Sequence, residues 1–174
     1  MEIFAQILGI VALVIAVCSM LLKEKPQIML FITIYNILTL VSYLLLGQYL
    51  GCILVGIATL RSFTFFIFSL KKLRPNIVVY ILFNILAITA SIVFWVSWYD
   101  IFMLINLIIN TYATWQTNVK IIKITAVVCT VFYVLYDIFV GAYVYIISEL
   151  AFGVVALYSL IKNRDKQAKG VENE

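Results

Sequence analysis

Polar residues within long apolar stretches are the residues of this sequence that could perform chemistry. Arg61 is the only charged residue between Gly47 and Leu70. This stretch is long enough to cross the ~30 Å hydrocarbon core of a bilayer as a helix. A guanidinium at that depth costs about 2.5–3.5 kcal/mol on insertion scales, so it is tolerated where it faces a bundle interior, a wet cavity or a partner. Arg61 is therefore the first candidate for a binding site.

Further polar residues in the apolar stretches are candidates for contact with a small-molecule solute. They are Asn36, Asn106, Asn110, Thr130, Tyr133 and Glu149. A polar layer near the middle of the stretches would suit a solute, and it would equally suit interhelical hydrogen bonds, which contribute ~0.6 kcal/mol each on average. Both interpretations remain open. Glu149 could also pair with Arg61, although helical geometry separates the two by ~9 Å in depth.

The residue types argue against enzyme chemistry. The chain has no histidine, which removes the commonest metal ligand and the commonest general base. Its three cysteines, Cys18, Cys52 and Cys129, lie in apolar stretches without a CxxC pair, so we interpret them as packing residues. No phosphate-binding loop and no paired carboxylates on one predicted helix face are present. We therefore expect no enzyme activity, no metal and no cofactor.

The composition predicts an all-α integral membrane protein whose main partner is the lipid bilayer. Of the 174 residues, 66% are hydrophobic and 11% are charged, and the mean hydropathy is +1.15. A soluble domain carries about 25% charged residues, so this chain has too little polar surface to face water. The basic residues flank apolar stretches and form no patch with interleaved aromatic residues, which argues against nucleic acid as a partner.

Seven apolar stretches predict seven transmembrane helices. We place these spans at residues 3–22, 28–46, 49–70, 77–97, 101–117, 121–140 and 143–161. Residues 1–163 then form a single membrane domain, and residues 164–174 form a polar, loosely ordered tail. Pro26 is assigned to the loop before the second span, so that no predicted span contains a proline.

The basic residues predict the orientation. Eleven of the twelve Lys and Arg residues fall in the loops after spans 1, 3 and 5, at the helix edge of the last of these loops, or after span 7, and the other loops have none. Because cytoplasmic loops carry the excess of Lys and Arg, we expect the N-terminus outside and the tail in the cytoplasm. This distribution also favours an odd number of spans.

An internal repeat is indicated at an offset of 94 residues. Under this offset Gly47-x-Tyr49 aligns with Gly141-x-Tyr143. A polar stripe and a small-residue stripe also align: Asn36, Thr39 and Tyr43 with Thr130, Tyr133 and Asp137, and Gly9, Ala12, Ala16 and Ser19 with Met103, Asn106, Asn110 and Ala113. The pattern predicts two parallel three-helix repeats, at about 3–70 and 101–161, joined by a connector helix at about 77–97.

This arrangement resembles SWEET-like and nicotinamide-riboside-transporter-like 3+1+3 bundles. In such parallel repeats, solute sites lie near the midplane at the repeat interface. The pair Pro26-Gln27 is similar to the PQ dipeptide of SWEET-like transporters, but here it is assigned to a loop. Nothing is carried over from that dipeptide.

Several short motifs carry a closer resemblance. They are Ala5-Gln6-x-x-Gly9, the run LLLGQYLG from Leu44 to Gly51, the spacing from that run to Arg61, and Ser148-Glu149. With them the chain resembles the YgjV family of bacterial inner-membrane proteins over nearly its whole length. The resemblance implies location and topology more than an activity. Members of the family tend to carry an asparagine three residues before the arginine, where this chain has Ala58.

Two functions of different class follow. The first is a small-solute transporter or facilitator of the bacterial inner membrane that uses a midplane cavity between the repeats. The alternative is a non-transporting membrane protein that binds a partner through its small-residue helix faces, and a homo-oligomer is compatible with both. Gly56 and Gly153 are expected to permit close approach of helices.

Overall fold

A computed structural model describes residues 2–45, 49–73, 76–95, 97–140 and 143–171, and over these ranges the chain forms seven helices and no strand. The helices are α1 (Glu2–Leu21), α2 (Lys25–Leu45), α3 (Tyr49–Leu70), α4 (Ile77–Val93), α5 (Asp100–Trp115), α6 (Val119–Val140) and α7 (Tyr143–Val171). The predicted all-helical class is confirmed.

Among the described residues, three helices are long and apolar enough to cross a membrane by length and composition. They are Lys25–Leu45, Cys52–Leu70 and Val119–Phe139. Ile7–Leu21 and Ile77–Val93 are apolar but shorter. The number of crossings and the orientation of the termini stay predictions.

Local hydrogen bonds explain several helix ends. The Asn76 side chain accepts from the Val78 amide at 2.8 Å and so caps the start of α4. At the end of α3, the Leu73 amide donates to the Phe68 carbonyl at 2.9 Å and the Lys72 amide donates to the Ser69 carbonyl at 3.2 Å. This pair of bonds is a Schellman motif, and it puts Lys72 in the left-handed region at φ 52°.

Three predicted boundaries are wrong. Pro26 belongs to the first turn of α2 and not to a loop, because a proline is tolerated where the amide has no intrahelical acceptor. Helix α4 ends at Val93, four residues before the predicted end of its span. Helix α7 continues to Val171, so residues 164–171 of the predicted loose tail are helical. The predicted turns at Gly47 and Gly141 lie outside the described residues.

Neighbouring helices in the chain pack against each other. Helix α2 lies between α1 and α3, and α6 lies between α5 and α7. The two groups of three meet where α1 packs on α7 and where α3 packs on α5, and α4 packs on α3 and α5. The apolar core consists of Met20, Ile28, Met29, Phe65, Phe83, Ile122 and Ala156. It lies toward the end of the bundle where α1 and α3 end and α2 and α6 begin, which we name the basic end after Lys23, Lys25, Lys71, Lys72 and Lys120.

Candidate functional site

Arg61 lies on α3 and is buried, with 4% of its surface exposed. Its Nη1 donates to Thr111 Oγ1 at 2.8 Å and its Nη2 donates to Asn110 Oδ1 at 3.3 Å. Both acceptors are on α5. The guanidinium therefore links α3 of the first three-helix group to α5 of the second.

The hydrogen bonding of Arg61 is incomplete. Its Nε is buried and has no hydrogen-bond partner among the described residues. A guanidinium offers five N–H donors, and both acceptors found here are neutral. In the described part of the chain Arg61 forms no ion pair with Glu149, so the pairing left open by the sequence is not made. Its charge is held in place without a counter-ion from these residues.

Two residues of α6 interact electrostatically with both Arg61 and Glu149. Tyr133 and Cys129 are both close enough to Arg61 to interact electrostatically with it. Glu149, on α7, acts on the same two residues. Tyr35 of α2 is a further electrostatic neighbour of Tyr133. Tyr133 and Cys129 thus place Arg61 and Glu149 in one polar region without bringing them into contact.

Asn36 is buried and makes its hydrogen bonds within the first three-helix group. Its Nδ2 donates to Ser62 Oγ at 3.1 Å and to the Ala58 carbonyl at 3.4 Å. Both acceptors are on α3, within one turn of Arg61. Asn36 therefore fixes α2 against the segment of α3 that carries the arginine.

Asn106 links α5 to α6. It is 1% exposed, and its Nδ2 donates to the Cys129 carbonyl at 3.5 Å. The Cys129 thiol donates to the Asn106 carbonyl at 3.9 Å. The Asn106 Oδ1 is buried without a hydrogen-bond partner among the described residues. This side chain leaves an acceptor open, as Arg61 leaves a donor open.

Thr130 packs against Gly153 of α7, and its hydroxyl bonds within its own helix and not to another helix. Its Oγ1 donates to the Ala126 carbonyl of its own helix at 3.1 Å. A Cβ added at Gly153 would lie 2.7 Å from Thr130 Cγ2 and 2.9 Å from its Oγ1. The close approach expected at Gly153 is confirmed. The one expected at Gly56 is wrong, because a Cβ there would meet nothing within 4 Å.

The structure brings together only part of the predicted set. Arg61 and Asn110 are in contact, and Tyr133 interacts electrostatically with both Arg61 and Glu149. Asn36 and Asn106 make hydrogen bonds in neighbouring helix pairs, and Thr130 makes none between helices. The Thr111 hydroxyl was missed, although it directly follows Asn110 in the sequence.

Two buried lysines were also missed, because both were counted as charges at the membrane surface. Lys25 is 8% exposed and Lys123 is 1% exposed. The Lys123 ammonium donates to Ser159 Oγ at 2.7 Å, which joins α6 to α7 at the basic end. Long cationic side chains near helix ends usually reach out to water, and these two do not.

The site offers hydrogen bonding and charge. A buried cation, an open donor and an open acceptor suit the recognition of a polar solute. No group of three or more His, Cys, Asp or Glu that could hold a metal ion is found among the described residues. Arg61, Asn110 and Thr111 thus form a hydrogen-bonded polar layer at the junction of α3 and α5, which we name the Arg61 layer.

Comparison with known proteins gives one match. The family model Imp-YgjV, described as a bacterial inner membrane protein, matches residues 3–167. No curated protein and no solved structure matches the chain.

Proposed function

Because the chain belongs to the YgjV family of bacterial inner membrane proteins, we propose that it is a multi-pass transporter or facilitator of a small solute in that membrane. All seven helices cross the bilayer, with the N-terminus outside and the C-terminal tail in the cytoplasm. The distribution of Lys and Arg supports this orientation, since the basic end collects the loops after α1, α3 and α5. A homo-oligomer stays a prediction.

The helices form two parallel repeats, α1–α3 and α5–α7, with α4 as the connector. The helix contacts support this. In two equivalent groups α1 corresponds to α5 and α3 corresponds to α7, so the contact between α3 and α5 has its counterpart in the contact between α7 and α1. Equivalent residues also occupy similar places. Met29 and Phe65 are buried in the apolar core, and Lys123 and Ser159, each 94 residues further along, are buried and hydrogen-bonded to each other.

The observation that carries the proposal is the position of Arg61. It is a buried cation at the junction of the two groups, held by neutral acceptors, and its Nε has no hydrogen-bond partner in the described part of the chain. A solute that reaches this layer can accept a hydrogen bond from the Arg61 guanidinium, which has already lost its hydration shell in the folded protein. If the two repeats rock against each other, the bonds from Arg61 to Thr111 and Asn110 must rearrange. Arg61 then both binds the solute and changes its hydrogen-bond partners as the repeats move.

The alternative, a protein that binds a partner through its small-residue helix faces without transport, stays a prediction. On one of these faces, the small-residue stripe of α1, three of the four residues, Ala12, Ala16 and Ser19, are buried inside the bundle. Buried residues are not available to a partner. A partner would need another face of the bundle.

The test compares two variants that each remove one buried cation. Arg61→Met keeps much of the bulk and loses the charge, and Lys123→Met does the same at the basic end, away from the site. Purified protein is screened for solutes that raise its melting temperature, and uptake of each is measured in liposomes. We expect Arg61→Met to fold and to lose binding and uptake, while Lys123→Met retains both.

The stability of Arg61→Met separates this role from a purely structural one. Its acceptors are neutral, so no carboxylate is left unpaired, and the loss should not exceed ~1–3 kcal/mol for the hydrogen bonds. Solute binding that is unchanged in Arg61→Met would refute the proposed site. A loss of binding in both variants would point to a general effect of buried charge on folding.

A further inference from the structure

A cavity of about 220 Å³ lies at the basic end, between the start of α2, the end of α3 and the residues that follow α5. We name it the Lys25 cavity. Its lining residues are Lys25, Pro26, Phe68, Ser69, Lys72, Leu73 and Thr117. Two of the seven are lysines and none is acidic. The cavity is separate from the Arg61 layer, and its role does not depend on solute transport.

Lys25 is a buried cation for which the described residues supply no counter-ion. More than nine-tenths of its surface is buried, and its ammonium donates to the Trp115 carbonyl at 3.4 Å. It lies 6.0 Å from the centre of the Phe65 ring. Among the described residues no carboxylate forms an ion pair with it, and the neighbouring Glu24 is exposed and does not line the cavity. An ammonium has three donors, and a bond of this length uses one of them weakly.

Lys72 adds a second positive charge to the lining, and Ser69 adds a hydroxyl group. Lys72 lines the cavity from the left-handed position that ends α3, where glycine is the usual residue. A lysine there is held in a conformation that residues with a Cβ atom rarely adopt. The Ser69 hydroxyl oxygen is buried and has no hydrogen-bond partner among the described residues. A second hydroxyl comes from Thr117, so the lining supplies two cationic and two hydroxyl donors.

We propose that the Lys25 cavity binds a phosphate group. A buried ammonium is stabilised when an anion accepts hydrogen bonds from its remaining N–H groups. Clustered donors without acidic neighbours suit an oxyanion with several acceptor oxygens. The group belongs either to the head of an anionic phospholipid or to a small phosphorylated solute. The basic end faces the cytoplasmic leaflet in the proposed orientation, and that leaflet carries anionic lipid.

The experiment has two arms that distinguish these sources. In the first, purified protein in a neutral detergent is titrated with sodium phosphate in a calorimeter. In the second, the protein is placed in nanodiscs of phosphatidylcholine with or without phosphatidylglycerol, and native mass spectrometry counts the lipids that stay bound. Each arm uses wild type, Lys25→Met, Lys72→Asn and Lys71→Gln. Asparagine accepts the left-handed conformation at position 72, and Lys71 is an exposed neighbour that does not line the cavity.

We expect wild type and Lys71→Gln to bind in at least one arm, and Lys25→Met and Lys72→Asn to bind about tenfold or more weakly. Binding of sodium phosphate identifies a soluble phosphorylated ligand, and selective retention of phosphatidylglycerol alone identifies the lipid head. Equal binding by wild type and Lys72→Asn in both arms overturns the proposal, as does no binding by wild type. An equal loss in Lys71→Gln also overturns it, because the effect would then be diffuse surface charge. Lys72 is exposed, so its variant decides the question even if Lys25→Met does not fold.

Discussion

Adding one methyl group at Gly153 measures how closely α6 and α7 are packed. The Cβ of an alanine would lie 2.7 Å from Thr130 Cγ2, 2.9 Å from Oγ1 and 3.1 Å from Cβ. Carbon atoms normally pack at ~3.5–4.0 Å, so the helices must separate by roughly 1 Å. Rotation of Thr130 gives little relief, because both of its outer atoms face the glycine. Overpacking costs about 2–3 kcal/mol here, and the better helix propensity of alanine offsets ~1 kcal/mol. We expect Gly153→Ala to lose about 1–2 kcal/mol of stability.

The assay is reversible unfolding in mixed micelles as the fraction of denaturing detergent rises. Gly9→Ala and Gly56→Ala are matched controls, because a Cβ at either position meets nothing within 4 Å. We expect both to be neutral or to gain up to ~1 kcal/mol from helix propensity. Adding Thr130→Ala to Gly153→Ala should recover part of the loss. If Gly153→Ala is as stable as Gly56→Ala, the close packing of α6 on α7 is refuted.

Three further results are expected. Ser159→Ala leaves the Lys123 ammonium buried without its partner and should cost about 1–3 kcal/mol of stability in the same unfolding assay. Adding Lys123→Met should restore most of that stability. If the effects of the two substitutions on stability are additive, the hydrogen bond between Lys123 and Ser159 is contradicted. Asn36→Ala and Ser62→Ala should show a coupling of ~0.6 kcal/mol in a double-mutant cycle, typical of interhelical bonds in membranes, and zero coupling would remove that contact. A reporter fused at Gln48 should be active only outside the cell, and cytoplasmic activity there would reverse the proposed orientation.

The helices were largely predictable because a bilayer requires long apolar runs, and most boundaries agree to within three residues. The wrongly predicted boundaries occur where the end of the apolar run does not coincide with the end of the helix. Pro26 looked like a break, although the first turn of a helix needs no amide from it. The residues beyond Ile161 are polar, so hydropathy ended the span there, while α7 continues to Val171 on helix-forming residues such as Lys166, Gln167 and Ala168.

The candidate site was only partly predictable. The cost of a mid-span charge correctly indicated that Arg61 is buried. Its partners on α5 could not be read, because helices that are apolar on most sides give little signal of their rotation. Opposite charge alone directed attention to Glu149, while the contact is with Asn110 and Thr111. The burial of Lys25 and Lys123 also depends on how each helix is rotated about its axis, which the sequence does not indicate.

The bonds of Arg61 also set an order of events during synthesis. Its two acceptors come 49 and 50 residues later in the chain. At about 5–20 residues per second, α3 waits roughly 3–10 s before α5 exists to receive the guanidinium. During that interval the nascent α3 carries an unmatched charge, at a cost of about 2.5–3.5 kcal/mol for entry into lipid. Helix α3 should therefore stay beside the insertion machinery until α5 emerges, and a chain that stops before α5 should be released into the bilayer less efficiently than the same chain with Arg61→Met.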